Sequence, residues 1–344
     1  MFQEATFADL PMFGAAHCTR AEDGTGCTVL VAEDGAVGAV DVRGGAPATR
    51  ETDLLRPENM VEQVNAVVLS GGSAFGLEAA CGVMEELAGR DVGFKLAGAC
   101  VPIVCGASLF DLPVGKLSWP NKDDGACAAR AACQSAGADL EQGCVGAGTG
   151  ATVGKMGLPQ QAMKSGFGWA GLRLGELVVI ANVAVNALGN VVAEDGSWLA
   201  GALGEGGRVE DPLAAALKAA ALQGSAGATG GPDARGAGDQ REQEGAPVSN
   251  TTIGCILTNA RLVKAQATKV AQMAQDAYAR CIKPVHTPHD GDTIFVMASG
   301  DVDARTDMVG ILATEAMERA IRFAVRSATG AYGLRAACDI EGCA

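Results

Sequence analysis

The chain has 344 residues, enough for one large domain or two ordinary ones, and a net charge of −14 that argues against a nucleic-acid surface. Its longest apolar runs, such as LVVIA at 177–181, are far too short to span a bilayer, and the first ten residues lack a basic start followed by an apolar block, so a cytoplasmic protein without a membrane partner is expected. Twelve cysteines without a CxxC pair read as small buried hydrophobes, three histidines argue against a zinc site, no cofactor is expected, and 48 glycines predict close backbone approach between layers.

In chain order, residues 14–45 hold two strand-like runs flanking the EDG at 33–35, a hairpin signal. VNAVVLS at 64–70 is a strand buried on both faces, GGSAFG follows it, and a helix is expected from Leu77 to Leu87. VPIV at 101–104 reads as a short strand and 121–137 as a small-residue helix. After the glycine-rich GAGTGATVG at 146–154, two strands flank the LGE at 174–176. A short alanine-rich helix over 212–222 leads into residues 224–249, which have almost no large apolar side chain and read as a mobile linker. Order then returns as strand, helix, strand and helix over 252–258, 262–282, 292–299 and 307–328. Sheets with helices outside them are the architecture that this order suggests.

Four places carry candidate chemistry. GAGTGATVG has the spacing of a dinucleotide fingerprint without a good preceding strand or a ribose-binding acid, which leaves a substrate-facing loop or a structural turn, with Gly148 and Thr149 as lining residues. Ser73 lies between a strand and a helix, outside the spacing of a nucleophile elbow; its loop amides can line a site. In HTPHDGDTIF, Asp290 and Asp292 flank Gly291 before a strand, which suits a turn, a carboxylate pair, or, with two histidines near, a metal. Thr251 is either an ordinary strand residue or a future chain terminus. Cleavage before it would place an α-amine, with an ordinary pKa near 8, beside its own hydroxyl, and that amine can act as the base that no histidine obviously provides.

VNAVVLSGGSAFGLEAACGVMEEL, VPIV, GAGTGATVGK, the long run from NTTIG to KPVH, and DGDTIF together resemble the self-cleaving amidohydrolases of peptidase family S58, the group of the D-aminopeptidase DmpA. The resemblance runs over nearly the whole chain, in order, and the Thr form looks closest to its nylon-oligomer hydrolase branch. It implies a single four-layer αββα sandwich of the N-terminal-nucleophile type, spanning 1–344. It also implies self-cleavage between Asn250 and Thr251, giving fragments 1–250 and 251–344. Thr251 would be the nucleophile, with Asp290 and Asp292 beside it, Lys155 after the glycine-rich loop, and Asn186 at the oxyanion, Asn182 being the rival.

The implied partners are a small peptide or amide substrate and other copies of the αβ unit, in a tetramer. Family aminopeptidases carry an acid and a tyrosine around CGASLFDL, where this chain offers Ser108 and Phe110 as substrate-lining positions. That departure keeps open an inactive small-molecule-binding homologue, and an acyltransferase of the ornithine or glutamate acetyltransferase type, also a self-cleaving Thr enzyme of related layout, is the other alternative.

Overall fold

The structure, a computed structural model, describes residues 2–227 and 250–340. One ten-stranded sheet path organises them. Its strands are β1 (Gln3–Ala5), β2 (Gly14–Arg20), β3 (Thr25–Val42), β4 (Thr49–Arg50), β5 (Gln63–Ser70), β6 (Val104–Ser108), β7 (Phe167–Leu174), β8 (Leu177–Asn186), β9 (Thr251–Ala260) and β10 (Thr293–Val302). Their order is β1-β7-β8-β9-β10-β3-β5-β6-β4, and β2 also pairs with β3. The helices are α1 (Ala79–Gly89), α2 (Lys122–Ala132), α3 (Pro212–Gly227), α4 (Lys264–Cys281) and α5 (Thr306–Arg326).

Period-two alternation sorts the strand residues into three cores, as a strand with both faces covered requires. Val179, Ala181 and Val183 of β8, Ile256 of β9 and Val296 of β10 face α4 and α5. Val178 and Ile180, Cys255 and Leu257, and Phe295 and Met297 point the other way, where they meet Leu30, Val67 and Leu69. Val29 and Val31 of β3, and Ala66 and Val68 of β5, pack under α1 and α2. Three cores separate four layers, an αββα sandwich.

Long β3 joins the two inner layers. Its first half pairs with β2 and β5, and its second half pairs with β10. The EDG at 33–35 is therefore not the hairpin that its composition suggests. The β3–β5 register shifts between Val31 and Ala36, and Gly35 adopts a φ of 82°, so a bulge re-aims one continuous strand from one sheet half to the other. The hairpin lies one EDG earlier, at Glu22–Gly24 between β2 and β3.

Glycine inside helices has a packing reason here. A Cβ on Gly82 of α1 would sit 1.7 Å from the Lys122 carbonyl oxygen, and one on Gly125 of α2 would sit 1.9 Å from that of Ala79. The two helices touch backbone to backbone. Asn121 caps α2 by accepting from the N–H groups of Asp123 and Asp124, at 2.8 and 3.1 Å.

Other boundaries move as well. VPIV is split between a small hairpin, Phe94–Leu96 with Ala99–Val101, and the start of β6. Helix α3 runs to Gly227, into the first residues of the expected linker, and 228–249 lie outside the described residues. Cys27, Cys105, Cys255 and Cys281 are buried as small hydrophobes, whereas Cys127 and Cys338 are exposed. No helix among the described residues is long and apolar enough to cross a membrane.

Candidate active site

The strand order brings the candidate residues to one end of the sandwich. β9 begins at Thr251, whose cross-strand partner is Asn186, the last residue of β8. On its other side β9 runs parallel to β10, and the pairing continues backwards as a bridge between Asn250 and Asp290. Thr251 is therefore flanked by Asn186 on one side and by the Asp290–Gly291–Asp292 turn on the other. All of these side chains are buried, Thr251 at 3% exposure and Asn186 at 0%.

Three hydrogen bonds hold Asn250 at the bond to Thr251. The Asn250 carbonyl oxygen accepts from Gly291 N–H at 2.9 Å. It also accepts the hydroxyl proton of Thr251 in a short contact. The Asn250 N–H donates to the His289 carbonyl oxygen at 3.2 Å. Glycine at 291 is a close-approach requirement, since a Cβ there would lie 2.8 Å from Thr251 Oγ1.

The two carboxylates have different tasks. Asp292 is saturated: Oδ1 accepts from Thr252 N–H at 2.8 Å, and Oδ2 accepts from His286 N–H at 3.1 Å and faces His286 Nδ1 at 3.0 Å. It fixes the start of β9 to the 286–292 turn. Asp290 accepts from Thr287 N–H through Oδ2, at 2.7 Å. Burial, and then the neighbouring Asp292 charge, raise its pKa above the ordinary carboxylate range. The loop after β3 backs the turn: Arg43 N–H donates to the Asp292 carbonyl at 2.9 Å, and Ala46 N–H to that of Asp290 at 2.8 Å.

On the other flank, Asn186 Oδ1 accepts from Lys155 Nζ at 2.6 Å and from Thr152 N–H at 3.1 Å, while Nδ2 donates to the Phe110 carbonyl at 2.9 Å. Burial of the ammonium lowers the Lys155 pKa to about 7, against the opposing pull of Asp290 and Asp111. Asn182 is a different case. It pairs with Cys255, four residues along β9 from Thr251, and its Nδ2 reaches only the Cys255 carbonyl, at 3.4 Å.

The remaining candidates divide. Gly148 and Thr149 turn inward: a Cβ on Gly148 would meet Phe167 N at 2.1 Å, and Thr149 Oγ1 donates to the Gly146 carbonyl at 2.7 Å. The glycine-rich loop thus makes a packed turn that delivers Lys155, and buried Lys164 ties it down by donating to the Gly148, Ala151 and Ser165 carbonyls. Ser73, at a φ of 54°, donates its N–H to the Leu109 carbonyl, and Ser108 is buried at the end of β6. Phe110 contributes its carbonyl to Asn186.

Sequence reasoning passed over Asp111, although it stands inside CGASLFDL. Its carboxylate accepts from Gly72 N–H at 2.6 Å and from Thr25 Oγ1 at 2.8 Å, and burial raises its pKa to about 6. His286 was weighed only as a possible metal neighbour of the aspartate pair, not as a partner of Asp292, and the loop at 43–46 was passed over because it has no motif of its own. Among the described residues no cluster of His, Cys, Asp and Glu is arranged to hold a metal.

The family model of peptidase family S58 matches residues 7–339. The chain belongs to that family. As a member of a peptidase family, it is a hydrolase of amide bonds. An uncharacterized aminopeptidase of Mycobacterium tuberculosis is 42% identical over 281 residues, covering 80% of this chain and 74% of that protein. The 6-aminohexanoate-oligomer endohydrolase of Paenarthrobacter ureafaciens is 30% identical over 295 residues, covering 85% of this chain and 74% of that protein. Among solved structures, a β-aminopeptidase of Burkholderia sp. superposes with a TM-score of 0.63 at 19% identity, covering 96% of this chain and 89% of that one. The L-aminopeptidase D-Ala-esterase/amidase of Ochrobactrum anthropi, described as a variant of the Ntn hydrolase fold, gives 0.63 at 15% identity, covering 97% and 91%. These two structural likenesses concern the fold.

Proposed function

We propose that the protein is a self-processing amidohydrolase of small peptides or amino-acid amides that works through Thr251 as an N-terminal nucleophile. The observation that carries this reading is the contact between Thr251 Oγ and the Asn250 carbonyl, with Gly291 N–H on the same oxygen. A hydroxyl against the carbonyl of its own peptide is poised for an N-to-O acyl shift. A backbone donor already on that oxygen stabilises the charge that develops there, an effect worth about 3–4 kcal/mol for a good donor.

Water then hydrolyses the ester and leaves Thr251 with a free α-amine. That amine, with an ordinary pKa near 8, arises next to the Asn250–Asp290 bridge and takes the hydroxyl proton when Oγ attacks a substrate. Asn186, oriented by Lys155, Thr152 and the Phe110 carbonyl, acts at the oxyanion of the substrate. Asp292 keeps the start of β9 in place through Thr252. The names of the relatives, an aminopeptidase and an oligomer endohydrolase, support amide hydrolysis by such a site.

The test compares wild type, Thr251→Ser and Thr251→Ala on a panel of amides with free and blocked amines. Wild type is expected to release amine, Thr251→Ser to retain a slower activity, and Thr251→Ala none. Turnover by Thr251→Ala equal to wild type would remove Thr251 from the mechanism.

A further inference from the structure

We propose that the slot occupied by Asn250 is the acyl-side subsite of the processed enzyme, and that it takes extended, N-acylated α-peptides with asparagine at the bond to be cut. The inference rests on the function proposed above and adds its substrate class.

In self-cleavage the bond from the Asn250 carbonyl carbon to Thr251 N breaks, a bond to Thr251 Oγ forms, and the hydroxyl proton ends on the nitrogen. Water then adds to the ester, releasing the Asn250 carboxylate and restoring the hydroxyl. That ester is the same species as the acyl-enzyme formed from a peptide R-Asn-NH-R′, where the leaving amine R′-NH₂ takes the proton. A site that hydrolyses its own ester is therefore equipped to hydrolyse that acyl-enzyme.

The unbroken chain displays the acyl group bound. Asn250 is fully buried, its carbonyl accepts from Gly291 N–H at 2.9 Å, and its N–H donates to the His289 carbonyl at 3.2 Å. It lies opposite Asp290 as a parallel bridge. An acyl group that replaces it adds as a short strand alongside 289–291, the edge-pairing mode of peptide recognition.

The donor to His289 has to sit on the α-nitrogen, one residue before the scissile carbonyl. An α-peptide supplies it there, whereas an ω-amino acyl chain carries its nitrogen several carbons away. In the unbroken chain this nitrogen is an amide N–H, the donor that the His289 carbonyl accepts from, and a blocked amine supplies the same group. Asn250 is fully buried, so a larger side chain such as phenylalanine is expected to fit its place poorly.

The experiment uses self-cleaved wild-type protein and four p-nitroanilides: acetyl-Pro-Val-Ser-Asn, its Phe analogue, its N-methyl-Asn analogue, and unblocked Asn. The acetylated Asn peptide is expected to be hydrolysed. The Phe analogue should lose at least tenfold in kcat/KM, as for a side chain too large for its pocket. The N-methyl analogue, which lacks the hydrogen bond to His289, should lose about tenfold. Processed enzyme that cleaves the unblocked anilide or other amides and leaves the acetylated Asn peptide intact would overturn this inference and spare the proposed function. Equal rates for all three blocked peptides would overturn it too. Processed protein that hydrolyses no amide of any kind would refute both.

Discussion

The two ends of the sandwich differ in a way that bears on how the enzyme becomes active. At the end where β5 starts, an open cleft of about 740 Å³ is lined by Glu33, Asp34, Met60, Glu62 and Phe94, among others. At the other end, Thr251, Asn186, Asp290 and Asp292 are all at 3% exposure or less. The chemistry is concentrated where the chain is shut, and the space lies where the candidate nucleophile is absent. The difference follows from covalent continuity. Asn250 lies directly before the buried Thr251; under the function proposed above, it is the site's own first substrate, and cleavage opens the site.

Substitutions at the closed end should have the largest effects. Replacing Asp290 by Asn keeps the shape and removes the carboxylate of the residue that bridges Asn250. We expect self-cleavage and turnover to fall by roughly 10²–10⁴, read as the fraction cleaved over time and as kcat on a chromogenic amide. Asp290→Asn activity within threefold of wild type would show that the carboxylate only shapes the turn. Gly291→Ala comes next. Its Cβ would lie 2.8 Å from Thr251 Oγ1, so the turn has to shift. A stability loss of about 1–3 kcal/mol in a denaturant melt of an uncleavable background is expected, with slowed self-cleavage.

Lys155 gives a pH signature. Its folded-state pKa of about 7 lies below its ordinary 10.5. Between these values the unfolded chain holds a proton that the folded chain lacks, so stability rises with pH across that window. Below pH 7 the cost of the buried charge is fully present. Denaturant melts at pH 7 and pH 9 should show the gain in wild type and not in Lys155→Met. At the open end, Asp34→Asn and Glu62→Gln should leave amide hydrolysis within twofold. A large loss there would break the comparison, since it would give the open cleft a part in catalysis.

Much of the closed end was readable in advance, for physical reasons. The 3.6-residue spacing of α4 and α5 and the apolar runs of β5, β8, β9 and β10 fix strand and helix identity, because both faces of these strands are covered. The family resemblance selected Thr251, Lys155, Asn186, Asp290 and Asp292, and the fold gathers all five at one end. Register then separates Asn186 from Asn182, something local sequence has no means to do: the residue facing Thr251 depends on how β8 and β9 align.

The bulge at 33–35 was not readable, because EDG suits a tight turn and a glycine bulge equally. Asp111, and the part that His286 plays, were not readable for a related reason. Asp111 accepts from two distant segments, at Gly72 and Thr25, and His286 bonds Asp292 six residues on, within a turn whose shape only the fold reveals. The inward turn of Gly148 and Thr149 follows from backbone contact with Phe167 and the grip of Lys164, which only the assembled fold reveals.

The central claim is that the Asn250–Thr251 bond breaks through the action of Thr251 itself. Intact-mass analysis of purified wild type and Thr251→Ala over a time course, with N-terminal sequencing of the products, tests it most directly. The account predicts conversion of wild type to two fragments, the smaller beginning Thr-Thr-Ile-Gly-Cys, with Thr251→Ala remaining whole. Wild type that stays one chain while hydrolysing amides, or Thr251→Ala cut at the same bond, would contradict it.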